Sequence, residues 1–246
     1  MTQIKIWDIP TRLFHWLLAA AVLTAFGIAQ FVPDEDPLFS IHALIGLVTG
    51  LMVLFRIIWG FAGSRYARFN SFTFSPGEFA SYIRDAFSGK GKRYMGHNPG
   101  SGYAVYIMLV LLSGLITTGV LGQGGNESFE ELHELFAYVM TAVVAAHLAG
   151  VLLHTVRYKE NIVFSMVTGN KDGGENEGIS STRPLAGAAF LLLTGLWTAG
   201  LFSSFDPNTK QTILPVIGAS IQLGEIEGNE EGHEGHQRNH HEDRDD

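Results

Sequence analysis

Five long apolar segments constrain this chain more than any other feature of its sequence. They lie at about residues 10–32, 37–60, 103–121, 129–156 and 185–202. Each approaches or exceeds the roughly 18 apolar residues that indicate a membrane-spanning helix. The uncharged part of the first segment, residues 13–32, follows Lys5 and Arg12 but is longer than the apolar part of a usual signal peptide, so we expect it to be a retained helix. The pattern predicts an all-α integral membrane protein.

The distribution of charge predicts how these helices cross the membrane. Of the 16 Lys and Arg residues, 13 lie at the start of the first segment, at the end of the second, or in the loops after the second and fourth. The loops after the first and third segments carry acidic residues and no Lys or Arg. Because cytoplasmic loops are enriched in Lys and Arg, we expect a cytoplasmic N-terminus and a periplasmic C-terminus.

The segments divide the chain into four predicted regions. Residues 1–169 form a membrane domain of four spanning helices, residues 170–183 a Gly-, Asn- and Glu-rich cytoplasmic linker, and residues 184–204 a fifth spanning helix. Residues 205–246 form a periplasmic, acidic, His-rich tail that is expected to be largely disordered. A capping box at Ser75 and Glu78 predicts a short amphipathic helix to about residue 87, lying at the inner membrane interface.

Four histidines, His15, His42, His133 and His147, lie in or at the edge of these apolar segments. An ionisable side chain within a membrane is costly unless it has a partner, and therefore suggests a functional site. Neutral imidazole is a strong axial ligand of haem iron. The chain has no cysteine, which excludes thiolate-bound iron–sulfur clusters and covalently attached haem. We therefore expect haem that is bound non-covalently.

The positions of these histidines predict two haem sites. His133 and His147 are 14 residues apart on one helix, which places them on nearly the same face and roughly 21 Å apart along the axis. The predicted topology puts His42 and His133 near the outer surface and His15 and His147 near the inner one. Matching depths pairs His42 with His133 and His15 with His147, so the chain is predicted to hold two b-type haems.

Two arginines and three glycines fit this arrangement. Haem propionates favour nearby cations, and Arg56 and Arg12 are predicted to lie beside the inner haem as cofactor-binding residues. Both could instead be flanking charges that set orientation. Small residues give a macrocycle clearance from the helix backbone, a role predicted for Gly46, Gly50 and Gly150, although small residues also serve ordinary helix packing.

Several motifs of the chain occur together in one known family. They are Trp7-Asp8-Ile9-Pro10-Thr11-Arg12-Leu13-Phe14-His15-Trp16, the spacing from His42 through Arg56 to Trp59-Gly60, Gly96-His97-Asn98-Pro99, and His133 with His147. Together they resemble the bacterial cytochrome b561 family, which includes the cytochrome b subunits of nickel–iron hydrogenases. The resemblance covers about residues 5–170.

The resemblance implies a four-helix diheme core in the bacterial inner membrane. Such a protein passes electrons between the quinone pool, as quinone or quinol, and a periplasmic redox partner, either a cytochrome c or a hydrogenase. We therefore expect an electron-transfer subunit rather than a free-standing enzyme, and no nucleic-acid partner. The fifth helix and the tail lie outside the family pattern.

Other interpretations of the same residues remain open at this point. A metal-ion transporter or sensor could use the membrane histidines as a path and collect ions with the tail residues His233, His236, His240 and His241. A purely structural anchor subunit is a further alternative. His154 could compete as the inner ligand, contact a propionate or be structural, and His97 could contact a propionate, line a quinone site or form a turn.

Overall fold

The computed structural model describes residues 2–34, 36–88, 92–123 and 125–224. Its helices are α1 (Ile9–Phe31), α2 (Phe39–Ala62), α3 (Pro76–Ser88), α4 (Pro99–Gly122), α5 (Glu127–Tyr158), α6 (Ile162–Thr168) and α7 (Pro184–Ser204). Its strands are β1 (Thr2–Lys5), β2 (Asn170–Gly173), β3 (Gln211–Ile213) and β4 (Ser220–Gln222). Short 3-10 turns occupy Phe69–Ser71 and Glu175–Glu177.

Five of the helices, α1, α2, α4, α5 and α7, are long and apolar enough to cross a membrane. Little of α1 and α5 is buried within the protein, which suits helices whose apolar side chains are covered by lipid. The predicted fold class, a helical membrane bundle with a fifth spanning helix, is therefore confirmed. The shorter α3 begins at the predicted capping box, where Ser75 and Glu78 bond reciprocally.

The first four spanning helices pack in the order α1, α2, α4, α5. Their shared core includes Phe14, Met52, Leu112 and Met140. The fifth spanning helix, α7, packs on α1 and α2, and in this contact the Phe190 ring lies 4.5 Å from that of Phe55. The indole of Trp197 donates to the carbonyl of Leu47 at 3.3 Å. Helix α7 thus covers the side of the bundle formed by α1 and α2.

Two segments contain more regular structure than the sequence analysis predicted. The predicted linker begins with β2, which pairs antiparallel with β1 at the N-terminus. The predicted tail begins with a hairpin of β3 and β4, which forms because Leu223 and its apolar neighbours are buried against Leu44 and Leu201. Strands β1 and β2 are distant in sequence, and strands β3 and β4 are too short to show an alternating pattern, so neither pairing was predictable. The tail histidines, at residues 233–241, lie outside the described residues.

Asp8 joins three elements at the end of the bundle where α1 begins and α2 ends. Its carboxylate is fully buried and caps α1 by accepting the Thr11 amide at 2.9 Å. It also accepts the Trp59 indole N–H at 3.0 Å and the Ser64 amide at 3.3 Å. The sequence analysis named Trp59 only within a family motif, and nothing in the sequence indicated that it bonds to Asp8.

Replacing Asp8 with alanine should destabilise the protein strongly. The change removes a helix cap and leaves two buried donors unpaired, which together should cost about 3 kcal/mol. Thermal unfolding of the purified chain in detergent measures the loss. The exposed Asp206, whose carboxylate bonds only within its own turn, is the matched control. A D8A variant that unfolds at the same temperature as D206A would contradict this role.

Candidate functional site

His42 and His133 face each other from α2 and α5. Their ring centroids are 6.1 Å apart and the rings are inclined at 70°. Two imidazoles that share one metal ion through bonds of roughly 2 Å hold their ring centres roughly 6 Å apart. The observed separation is therefore that expected for two axial ligands of one iron.

Hydrogen bonds orient both rings of this outer pair. The His42 Nδ1 lies 2.9 Å from the Ala25 carbonyl oxygen, and the His133 Nδ1 lies 3.0 Å from the Leu115 carbonyl oxygen. A carbonyl only accepts, so each Nδ1 carries the proton and donates. Each Nε2 is then left with a free lone pair, the state that a metal-binding histidine requires.

The space around this pair is also shaped for a bulky group. A Cβ added at Gly46, one turn after His42, would meet no atom within 4 Å, and the same holds for Gly150 beside His147. Gly50 differs, because a Cβ there would contact Ile116 at 3.4 Å. Gly46 and Gly150 therefore have the predicted clearance, whereas Gly50 serves helix packing.

A second group of polar side chains lies nearer the end of the bundle where α1 begins, at the level that the predicted topology makes the inner one. A cavity between α1, α2 and α4 is lined by His15, Arg56 and His97 together with apolar side chains. His147 lies near His15 and His97 but does not line the cavity. The four side chains predicted or considered for the inner site thus occupy one region.

Three buried polar atoms at this cavity lack hydrogen-bond partners among the described residues. They are Thr11 Oγ1, Arg56 Nη1 and His97 Nδ1, and all three residues line the cavity. Buried polar atoms are normally paired, so an unpaired cluster needs an explanation. An anionic group such as a haem propionate would satisfy all three. The donor set therefore fits the cofactor that the histidines predict.

His97 is more central than its loop position in the sequence suggested. Its ring packs edge-on against Trp7 at 4.9 Å and at a tilt of 46° against Phe72 at 4.4 Å. Burial, and then the nearby positive charge of Arg56, lower the pKa of His97 to about 3. The ring is neutral at physiological pH and can donate one hydrogen bond into the cavity.

Arg12 bonds to the end of α6, and its role at the inner haem stays a prediction. Its guanidinium donates to the carbonyl oxygens of Met166 and Val167 near the end of α6, and Arg12 is absent from the lining of the inner cavity. Cations bind well at helix C-termini, where carbonyls are unpaired. Arg12 thus fastens α1 to α6, whereas Arg56 lies at the cavity as predicted.

His154 lies in an ion-pair cluster rather than beside the inner pair. It is almost fully buried, and its Nε2 is 3.4 Å from Glu160, which also binds Lys171 at 3.2 Å. The hydrogen bond from His154 and the charge of Lys171 outweigh the effect of burial and lower the pKa of Glu160 to about 2. His154 is therefore held by residues that follow α5.

Comparisons with known proteins agree with this geometry. The family model described as prokaryotic cytochrome b561 matches residues 6–169. A probable Ni/Fe-hydrogenase B-type cytochrome subunit of Rhodobacter capsulatus is 22% identical over 216 residues, covering 69% of this chain and 82% of that protein. The protein of the same name from Rhizobium leguminosarum bv. viciae is 20% identical, covering 69% of this chain and 89% of its own length.

A third relative, from Cupriavidus necator, has the same name and is 24% identical over 207 residues, covering 67% of this chain and 85% of that protein. No solved structure matches the chain. The matched family region contains all four membrane histidines and ends before α7. The chain belongs to the prokaryotic cytochrome b561 family and is a membrane b-type cytochrome of electron transfer.

Proposed function

We propose that this cytochrome holds two b-type haems and carries electrons between the quinone pool and a periplasmic redox partner. The observation that carries the proposal is the outer pair, in which His42 and His133 stand at the separation of two axial ligands with both Nδ1 atoms donating to carbonyls. His15 and His147 supply the second pair at the inner level.

Each of the two proposed haem sites has its own set of residues. His42 and His133 bind the outer haem, with ring orientations fixed by Ala25 and Leu115. His15 and His147 would hold the inner haem, and the unpaired polar atoms of Thr11, Arg56 and His97 at the cavity would be available to its propionates. Haem iron supplies one-electron chemistry when bound. Because two imidazoles leave no open position on iron, the sites favour electron transfer over oxygen chemistry.

The proposed orientation places the N-terminus in the cytoplasm and the C-terminus in the periplasm of a bacterial inner membrane. The outer ends of the helices then expose Asp34, Glu127, Glu130 and Glu131, and no Lys or Arg occurs in residues 33–38 or 122–131. The inner ends carry most of the basic residues, as the positive-inside rule requires. An acidic outer surface favours a partner with a basic docking face.

The names of the relatives favour a hydrogenase as the periplasmic partner, since all three are called probable Ni/Fe-hydrogenase B-type cytochrome subunits. Copurification from native membranes after mild solubilisation tests this. We expect hydrogenase subunits to copurify with the cytochrome. Recovery of a c-type cytochrome instead would exclude the hydrogenase as partner but would agree with the proposed role in electron transfer.

Reduction of the purified cytochrome by a short-chain quinol tests the quinone part of the proposal. We expect the absorption bands of reduced b-type haem to appear on mixing. Excess quinone should slow the rate at which they appear. A protein that is reduced by dithionite but never by quinol would contradict the proposed exchange with the quinone pool.

Replacing Gly119 with alanine should weaken the outer haem site selectively. A Cβ at Gly119 would lie 3.2 Å from His133 Cε1 and 3.4 Å from its Nδ1, which would press the ring away from its carbonyl partner. Disturbing such a supporting contact should lower haem affinity about tenfold. Haem retention during dilution in detergent measures the effect. Gly195→Ala is the control, because its Cβ would meet nothing within 4 Å, and equal retention in both variants would contradict the prediction.

A further inference from the structure

A polar cavity of about 270 Å³ lies at the inner end of the bundle, where α2 ends and α7 begins. It is separate from both histidine pairs. Three arginines line it, Arg65, Arg68 and Arg183, and the rest of its wall is mainly glycine and serine. A site of this composition suits an anion, because it combines cations with small polar side chains.

The three arginines have no salt bridge or side-chain hydrogen bond to protein among the described residues. Arg65 lies over the Tyr66 ring at 5.3 Å, and all three side chains belong to exposed residues. Asp8, which accepts the Ser64 amide beside the cavity, is fully buried and also accepts bonds from Thr11 and Trp59. Glu177, next to Gly178 of the lining, accepts the Gly174 amide. Among the described residues, the lining of the cavity therefore contains three cations and no carboxylate.

Ser64 gives an independent indication of a ligand. The residue is 7% exposed and lines the cavity, and its hydroxyl oxygen is buried without a hydrogen-bond partner in the described part of the chain. A buried hydroxyl without a partner is costly. An anionic oxygen held by the arginines would accept its proton.

The N-terminus of α7 adds positive electrostatic potential at the same cavity. Arg183 is the N-cap residue and makes no side-chain capping bond, so the first amides of this 21-residue helix lack a side-chain acceptor. The positive end of a helix dipole favours anions. The helix end and the three arginines therefore attract the same kind of ligand.

Apolar side chains extend from the cavity toward the membrane. Phe61 and Ile58 on the last turns of α2 are 72% and 56% exposed, and Leu185 at the start of α7 is 84% exposed. Both helices are long and apolar enough to span a membrane, so exposed apolar side chains on their end turns are suited to contact lipid beside the polar cavity. A ligand with a phosphate head and acyl chains matches both parts.

We propose that this cavity binds the phosphate of an anionic phospholipid headgroup, with Arg68 and Arg183 as its main cationic contacts and Ser64 as a hydrogen-bond donor. Basic pockets between membrane helices on the cytoplasmic side are suited to such lipids. The site depends on α7, which lies outside the family match, so the fifth helix serves to complete a lipid site as well as to anchor the chain.

Native mass spectrometry of the delipidated full-length cytochrome tests the proposal. The chain is titrated separately with phosphatidylglycerol, phosphatidylcholine and inorganic phosphate. We expect phosphatidylglycerol to bind tightest, and the double variant R68Q/R183Q to bind it about 30-fold more weakly, the loss expected for two arginines near a lipid phosphate. Ser64→Ala should weaken binding to a smaller extent.

Arg84→Gln is the matched control, because Arg84 lies on α3 at the same end of the bundle with a side chain that is 77% exposed, and it does not line the cavity. The haem absorption spectrum verifies that each variant is folded. Equal affinity of the wild type and R68Q/R183Q for phosphatidylglycerol would overturn the proposal. Inorganic phosphate binding as tightly as the lipid would also overturn it, since the site would then take a free anion.

Discussion

Replacing His42 with alanine is expected to remove one haem from the protein and leave the other in place. In the proposed assignment His42 would supply one of two axial bonds to the outer iron, and its partner His133 lies 6.1 Å away between ring centres. Loss of either imidazole opens that iron and releases a non-covalent haem. His15 and His147 lie on α1 and on a different part of α5, so the haem that they are proposed to bind should remain. His133→Ala should behave in the same way.

Haem content per chain, measured by pyridine haemochrome absorbance on purified variants, gives the result directly. We expect about half of the wild-type haem in H42A and H133A, and again about half in H15A and H147A. His154→Ala is the control, since His154 is a histidine of α5 that is held by Glu160. A full haem complement in H42A, or loss of haem in H154A equal to that in H147A, would contradict the assigned ligands.

Replacing Arg56 with leucine is expected to lower the midpoint potential of the inner haem. The Arg56 guanidinium is buried and lines the inner cavity, and its Nη1 has no hydrogen-bond partner in the described part of the chain. A positive charge near a haem favours the ferrous state, because reduction adds an electron. A charge-assisted bond of about 2 kcal/mol corresponds to a potential change of roughly 80 mV for one electron.

Redox titration of the two haems in one sample measures this change, with the outer haem as an internal reference. Arg56→Lys should leave the midpoint potential of the inner haem close to that of the wild type, because lysine retains the positive charge. Arg84→Gln should leave both potentials unchanged, since its side chain is mostly in solvent. Unchanged potentials of both haems in R56L would show that Arg56 does not act on the inner site.

The membrane helices were predictable because their physical cause is local. A spanning segment must be apolar over its whole length, so α1, α2, α4, α5 and α7 appear directly in the sequence. The facing of His42 and His133 followed from helix direction and depth, which the charged loops indicate. These features need no knowledge of tertiary contacts.

The remaining features depend on contacts between distant residues. The pairing of β1 with β2 joins residues 2–5 to residues 170–173, and no sequence period indicates it. Arg12 was predicted at the inner haem because it lies one turn before His15, yet the nearby carbonyls of Met166 and Val167 hold its guanidinium. Asp8 and Ser64 were missed because their importance comes only from burial.

An experimental density map of the purified cytochrome with its haem bound is the most direct test of this account. We expect two porphyrins, one with its iron between the Nε2 atoms of His42 and His133, and one between those of His15 and His147. A single porphyrin, or an iron bound through His154 or His97 in place of one of these four side chains, would contradict it.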